Sequence, residues 1–225
     1  MKNEVKNFWS ERADKHMWKG ELGKWQTTSL TQSEDEARKR RRDELRHLKE
    51  ALTLIEGAES MKLLDVGCGT GRLTIFLAEN FEHVYATDYT REFLAVAKQE
   101  AETLRIGNIT FKHQNADESN DDIEFDCCSF CGILQYLTDE EYERALERTK
   151  SAKFFIVKES VGVDKRIELE DHYSEELGTN YSAIYRNKDQ IIKDFESLGF
   201  GTIMDELVAE HREETNMRIF VFKKK

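Results

Sequence analysis

The sequence predicts a doubly wound α/β fold, a mostly parallel seven-stranded sheet that ends in a C-terminal antiparallel hairpin behind a helical N-terminal lid. Three observations lead there. From residue 62 to residue 198, short apolar runs alternate with amphipathic stretches, the rhythm of parallel strands joined by crossover helices. The first run, Leu63-Leu64-Asp65-Val66, opens into glycines at alternate positions, Gly67, Gly69 and Gly71, directly before a helical stretch. Residues 201–210 and 216–222 then break the rhythm with two consecutive strand-like runs joined by a polar turn.

Taken in order, residues 1–56 form the lid, to which Trp9, Trp18 and Trp25 belong. A capping box from Ser33 to Glu36 starts a helix that carries Leu45, Leu48, Leu52 and Ile55 on one face. Its basic run, Arg38 to Arg42, is flanked by Glu34, Asp35, Glu36, Asp43 and Glu44, which favours a solvated, ion-paired face over a binding patch. Residues 57–225 form the core. Strands are expected near 62–66, 83–87, 109–113, 125–130 and 153–157, and helices near 72–80, 90–104, 139–150 and 188–198. No proline, Gly/Ser-rich linker or internal repeat divides the 225 residues, so one domain is expected.

A net charge of −11 opposes general attraction to phosphate backbones, so no nucleic-acid partner is expected. No run of about twenty apolar residues is present, and Met1-Lys2-Asn3-Glu4 lacks the apolar core of a leader, which predicts a cytoplasmic protein with no membrane partner. Cys128-x-x-Cys131 has neither a second cysteine pair nor a neighbouring histidine. The four cysteines, Cys68, Cys127, Cys128 and Cys131, are therefore read as reduced core residues, with no metal site. Oligomeric state is not set by these features.

A strand that ends in a glycine turn and feeds a helix brings backbone N–H groups and a helix N-terminus close to a ligand, with no side chain in the way. The spacing is G-x-G-x-G with Asp65 before the first glycine, unlike the G-x-G-x-x-G of dinucleotide sites. A purely structural turn is the alternative. About twenty residues on, Asp88 closes the next apolar run, where a carboxylate accepts both protons of a ribose diol. An acid there equally suits the start of the helix near Thr90.

The glycine motif resembles motif I of class I S-adenosylmethionine-dependent methyltransferases. A narrower resemblance runs along nearly the whole chain. Trp18-Lys19, the segment from Gly20 to Trp25, Gly67 to Thr74, Asp88 to Lys98, Leu137-Thr138-Asp139, Val157-Lys158-Glu159 and Ser182 to Arg186 match, in order, segments of the protein N-terminal methyltransferases, which act on chains beginning Xaa-Pro-Lys. The resemblance implies S-adenosyl-L-methionine as cofactor, held by Gly67 and Gly69, with Arg72 on the methionine carboxylate and Asp88 on ribose. Asp65, Cys68, Tyr89 and Cys131 complete the expected cofactor contacts, and Asp117, after the third strand, is placed for the adenine amino group. An arginine in the first turn of a helix opposes the helix dipole and gains from an anionic partner, which supports Arg72 independently.

The acceptor side departs from that family. Tyr136 stands where the family has a catalytic histidine, Ser160 for an asparagine, Tyr181 for an aspartate and Gly132 for an indole. This implies the same reaction on a different acceptor. Methyl transfer from a sulfonium is an in-line displacement, and an amine must first lose its proton. Tyr136, Glu159 and His172 are the candidate catalytic groups. Trp25, Tyr181, Tyr185 and Arg186 are the candidate substrate contacts, with Tyr173 as a further wall. The expected activity is methyl transfer to a small-molecule or peptidic acceptor, at nitrogen more than oxygen. The alternatives are a true α-N-terminal methyltransferase and a cofactor-binding regulatory protein without catalysis.

Overall fold

The computed structural model describes residues 5, 7–11, 33–118, 122–175 and 177–225. Trp18, Trp25 and the motif segment around them lie outside the described residues. Helix α1 (Glu34–Leu52) starts at the expected capping box: Ser33 Oγ accepts from the Glu36 N–H, and the Glu36 carboxylate accepts from the Ser33 N–H at 2.8 Å. There follow β1 (Lys62–Val66), α2 (Arg72–Ala78), β2 (His83–Asp88), α3 (Arg91–Thr103), β3 (Ile109–His113), β4 (Cys127–Cys131) and α4 (Asp139–Thr149). The chain continues through β5 (Phe154–Gly162), β6 (Ile167–Ser174), β7 (Thr179–Tyr185), α5 (Lys188–Ser197), β8 (Phe200–Arg212) and β9 (Thr215–Lys224).

Seven strands form one sheet in the order β3-β2-β1-β4-β5-β9-β8. The first five run parallel, and β9 and β8 add antiparallel, as expected from the C-terminal pair of strand-like runs. Chain order reverses between β1 and β4, which pair directly, so a crevice opens at their carboxyl ends. Successive residues of β1 serve opposite faces. Leu63 joins a cluster with Leu48, Leu77, Ile156 and Val221, whereas Leu64 joins Phe130, Leu146, Phe155, Phe195 and Phe220. Burial on both faces is why the central strands read as continuous apolar runs. The same alternation separates Cys128 from Cys131, which pack against different clusters.

Two departures from the sequence reading matter for the site. β5 runs on to Gly162 instead of ending at 157, because its second half pairs with β9. Glu159 and Ser160 therefore lie inside a strand and not in a loop. A separate two-stranded sheet, β6 with β7, follows β5, where no strand was expected. Its alternation, Ile167 and Leu169 inward with Glu168 and Glu170 outward, is masked by charge and broken by a bulge between Leu169 and His172, where Asp171 has φ +47°.

Candidate active site

The glycine turn after β1 is drawn against β2: the N–H groups of Gly67 and Cys68 both donate to the Thr87 carbonyl, at 2.8 and 2.9 Å. Gly67 has φ +74°, and a Cβ built there would lie 2.3 Å from Ile133 Cδ1, so only glycine fits. Gly69, φ +55°, faces open space on the pocket side. Its N–H donates to Asp88 Oδ2 at 2.9 Å, and the Thr90 N–H donates to Oδ1 at 2.8 Å. Asp88 thus both shapes the glycine turn and supports the start of α3. Its burial pushes the carboxyl pKa up, against the hydrogen bonds from Thr90 and Gly69.

Asp65 ties three elements together. Its two oxygens accept from Thr74 Oγ1 in α2 and Ser129 Oγ in β4, each at 2.7 Å, and burial raises its pKa. Asp65 and Asp88 stand on the wall of one pocket at the β1–β4 crevice, with Gly67, Cys68, Gly69, Arg72, Tyr89, Asp117, Cys131 and Tyr136. The structure therefore brings together every residue expected on the cofactor side. Burial raises the Cys68 and Cys131 thiols well above their ordinary pKa, so neither is a ready nucleophile. Arg72 and Asp117 are held by side chains of opposite charge. Arg72 pairs with Glu44 of α1, and Asp117 accepts from Arg144 Nη2 at 2.8 Å and Nε at 3.2 Å. The solvated face expected around Glu44 is thus corrected: this carboxylate is 2% exposed.

Sequence reasoning missed several pocket residues, among them Gln114, Asn115, Phe93 and Glu141. The polar pair Gln114-Asn115 directly after β3 was a usable signal, being at the carboxyl end of a strand beside the switch point. Trp9, expected in the lid, lies on the pocket wall with its ring 5.1 Å from that of Tyr136 and 6.1 Å from that of Phe93.

The acceptor-side expectations fare differently. Tyr136 lines the pocket, at the end of a 3-10 turn (Leu134–Tyr136). Glu159, Tyr181, Tyr185 and Arg186 do not line it; they are buried behind that turn. Glu159, 1% exposed, accepts through Oε1 from the N–H groups of Ile133 at 2.8 Å and Leu134 at 2.9 Å. Its burial, partly offset by those N–H groups and Lys158, pushes its pKa up to about 7. Arg186 holds the other side of the turn. It donates to the Leu134 carbonyl at 2.8 Å, the Leu137 carbonyl at 3.1 Å and Asp139 at 2.7 Å, and stacks 4.0 Å above the Tyr142 ring. Tyr181 and Tyr185 join hydroxyls at 3.2 Å inside the cluster under the β6–β7 sheet. His172 and Tyr173 are exposed on β6, away from the pocket wall, because the unforeseen hairpin turns them outward. Trp25 lies outside the described residues.

Residues 63–152 match a family model described as a methyltransferase domain. A protein of Geobacillus sp. (strain WCH70), named as a methyltransferase, is 39% identical over 84 residues, which are 37% of this chain and 34% of that protein. The tRNA/tmRNA (uracil-C(5))-methyltransferase of Idiomarina loihiensis is 40% identical over 62 residues, 28% of this chain and 17% of that protein. These matches span about a third or less of the curated relatives. The structure of magnesium protoporphyrin IX methyltransferase from Synechocystis PCC 6803 with bound SAH superimposes with a TM-score of 0.69 at 17% identity, covering 100% of both chains. The fold is that of the class I S-adenosylmethionine-dependent methyltransferases.

Proposed function

We propose that this protein is an S-adenosylmethionine-dependent methyltransferase that acts on a small-molecule or peptidic acceptor, at nitrogen in preference to oxygen. The observation that carries the reading is the glycine turn clasped by Asp88, with open space beside Gly69 at the sheet's switch point. That cradle suits a nucleoside. Backbone at Gly67 to Gly69 approaches the ligand without side-chain obstruction. Each Asp88 oxygen accepts one backbone N–H and retains a lone pair for a ribose hydroxyl. Arg72 takes the carboxylate end, and Asp117, Gln114 and Asn115 serve the base.

When bound there, S-adenosylmethionine supplies a methyl group on a sulfonium. The protein's work is to align the acceptor and keep water out. Trp9, Phe93, Ile133 and Tyr136 give the described wall its apolar, aromatic part. Asp65, Asp88, Asp117 and Glu141 give it four acidic side chains against the single guanidinium of Arg72. The preference for nitrogen rests on the resemblance to the protein N-terminal methyltransferases, whose acceptor atom is an amine nitrogen. Of the four positions that depart from the N-terminal methyltransferases, Gly132 and Tyr136 line the pocket, so an Xaa-Pro-Lys peptide is not the expected acceptor.

Labelled-methyl transfer from S-adenosylmethionine into separate metabolite, peptide and RNA pools tests this. Label in a metabolite or peptide amine is expected. Label in RNA alone would refute the acceptor class, and donor binding without transfer to any pool would leave a non-catalytic binding protein.

A further inference from the structure

A buried cluster of charges adjoins the donor end of the pocket. Glu44 of α1 accepts from Lys158 Nζ of β5 at 2.8 Å through one oxygen and pairs with Arg72 of α2 through the other. Arg40, one turn earlier on α1, places Nε 4.0 Å from the first oxygen. Lys158 is 6% exposed, and its other close contact, Met217 Sδ at 3.6 Å, brings no charge. Burial opposes ionisation of Glu44, yet Lys158 and Arg72 hold its carboxyl far below the ordinary range. Glu159, the next residue along β5, also feels the charge of Lys158, but burial pushes its pKa up to about 7, so below that pH it keeps its proton and does not balance the count. Glu44 therefore faces the buried Lys158 and the partly exposed Arg72 and Arg40, with Arg41 feeling the charges of Arg72 and Glu44 and offset by Glu100, and a buried charge left short of a partner is costly.

Arg72 is the member of this cluster that also reaches the pocket, where its side chain is 25% exposed. A guanidinium has five donors and can serve two carboxylates. We propose that Glu44 is an internal competitor for Arg72: the excess positive charge attracts the amino-acid carboxylate of a bound donor or product, and Glu44 limits how tightly it is held. This rests on the cofactor reading above. Its consequence is that α1, distant in sequence from the glycine turn, sets the affinity of the donor site and the ease of product release.

Calorimetry on the full chain with S-adenosylhomocysteine and with 5′-methylthioadenosine, which lacks the amino-acid carboxylate, tests the proposal. The ratio of the two affinities is the readout, since a merely structural role for Glu44 would change both alike. Glu44→Gln keeps the shape and removes the competing charge. The ratio is expected to rise about tenfold in favour of S-adenosylhomocysteine, an electrostatic gain of about 1.4 kcal/mol. Arg40→Gln, at a partly exposed position, removes one cation and is expected to lower the same ratio about threefold. An unchanged ratio in either folded variant, or a fall with Glu44→Gln, would overturn the proposal while leaving the cofactor reading intact. Failure of the wild type to bind either compound would overturn both.

Discussion

Glu159→Gln is expected to remove a pH dependence from the stability of the fold. Glu159 is 1% exposed, and burial pushes its pKa up to about 7 from an ordinary 4.5, despite the N–H groups of Leu134 and Ile133 and the charge of Lys158. The folded protein therefore keeps a proton that the unfolded chain releases above pH 4.5. Below that value both states are protonated and the full stability is present. As pH rises from 4.5 to 7 the unfolded state gains from ionising while the folded state does not, so stability falls by about 1.4 kcal/mol per pH unit, roughly 3 kcal/mol across the window. Above pH 7 both states are ionised and the effect levels off. Glutamine keeps an acceptor for the Ile133 and Leu134 N–H groups but carries no titrating proton. Its amide nitrogen replaces an oxygen, Oε2, that has no partner, which adds a constant offset. Urea denaturation of both proteins at pH 5, 6, 7 and 8 gives the difference curve. The variant should gain on the wild type up to pH 7 and hold that gain at pH 8. A flat difference would show that this carboxyl titrates normally in the folded protein.

Asp88→Ala is expected to weaken S-adenosylhomocysteine binding by about 2–3 kcal/mol, since an ionised acceptor is lost and the Gly69 and Thr90 N–H groups lose their partner; unchanged affinity in calorimetry, with only a lower Tm, would assign Asp88 to structure alone. Gly67→Ala should destabilise by about 2–3 kcal/mol, because its Cβ meets Ile133 Cδ1 and its φ is +74°. Adding Ile133→Ala should relieve the clash but not the backbone strain, so urea denaturation should give a double-variant cost well below the sum of the singles. Strict additivity would rule the clash out.

What the sequence made legible was local in origin. The glycine turn and the capping box at Ser33 each announce themselves within about ten residues, and the bounds of β1 and β3 fall where hydrophobic patterning placed them. The expected end of α2 at residue 80 overshoots Ala78, because Glu79 and Asn80 complete a turn with helix-compatible side chains. What stayed hidden depends on partners far along the chain. Glu44 reads as one more acid beside a basic run, and its burial follows from Lys158, 114 residues away. Arg186 resembles a substrate contact until the carbonyls of Leu134 and Leu137, some fifty residues upstream, are seen to occupy it. Glu159 reads as a loop acid unless the extra length of β5, fixed by pairing with β9, is known.

The β6–β7 sheet leaves and rejoins the main body at nearly one point. Gly162, at the end of β5, bridges in parallel to Asn187, and its N–H donates to the Arg186 carbonyl at 3.2 Å. A side chain on Gly162 would collide with the Lys165 carbonyl oxygen, so the pinch is closed to bulk. An excursion whose ends already meet adds little closure entropy when its interior grows or shrinks. The hairpin is thus a cassette in the evolutionary sense. Its outward face is open to lengthening and repatterning, whereas Tyr181 and Tyr185 on its inward face pack against Tyr136 of the crevice wall, so that novelty accumulates on one face of the hairpin and ancestry on the other.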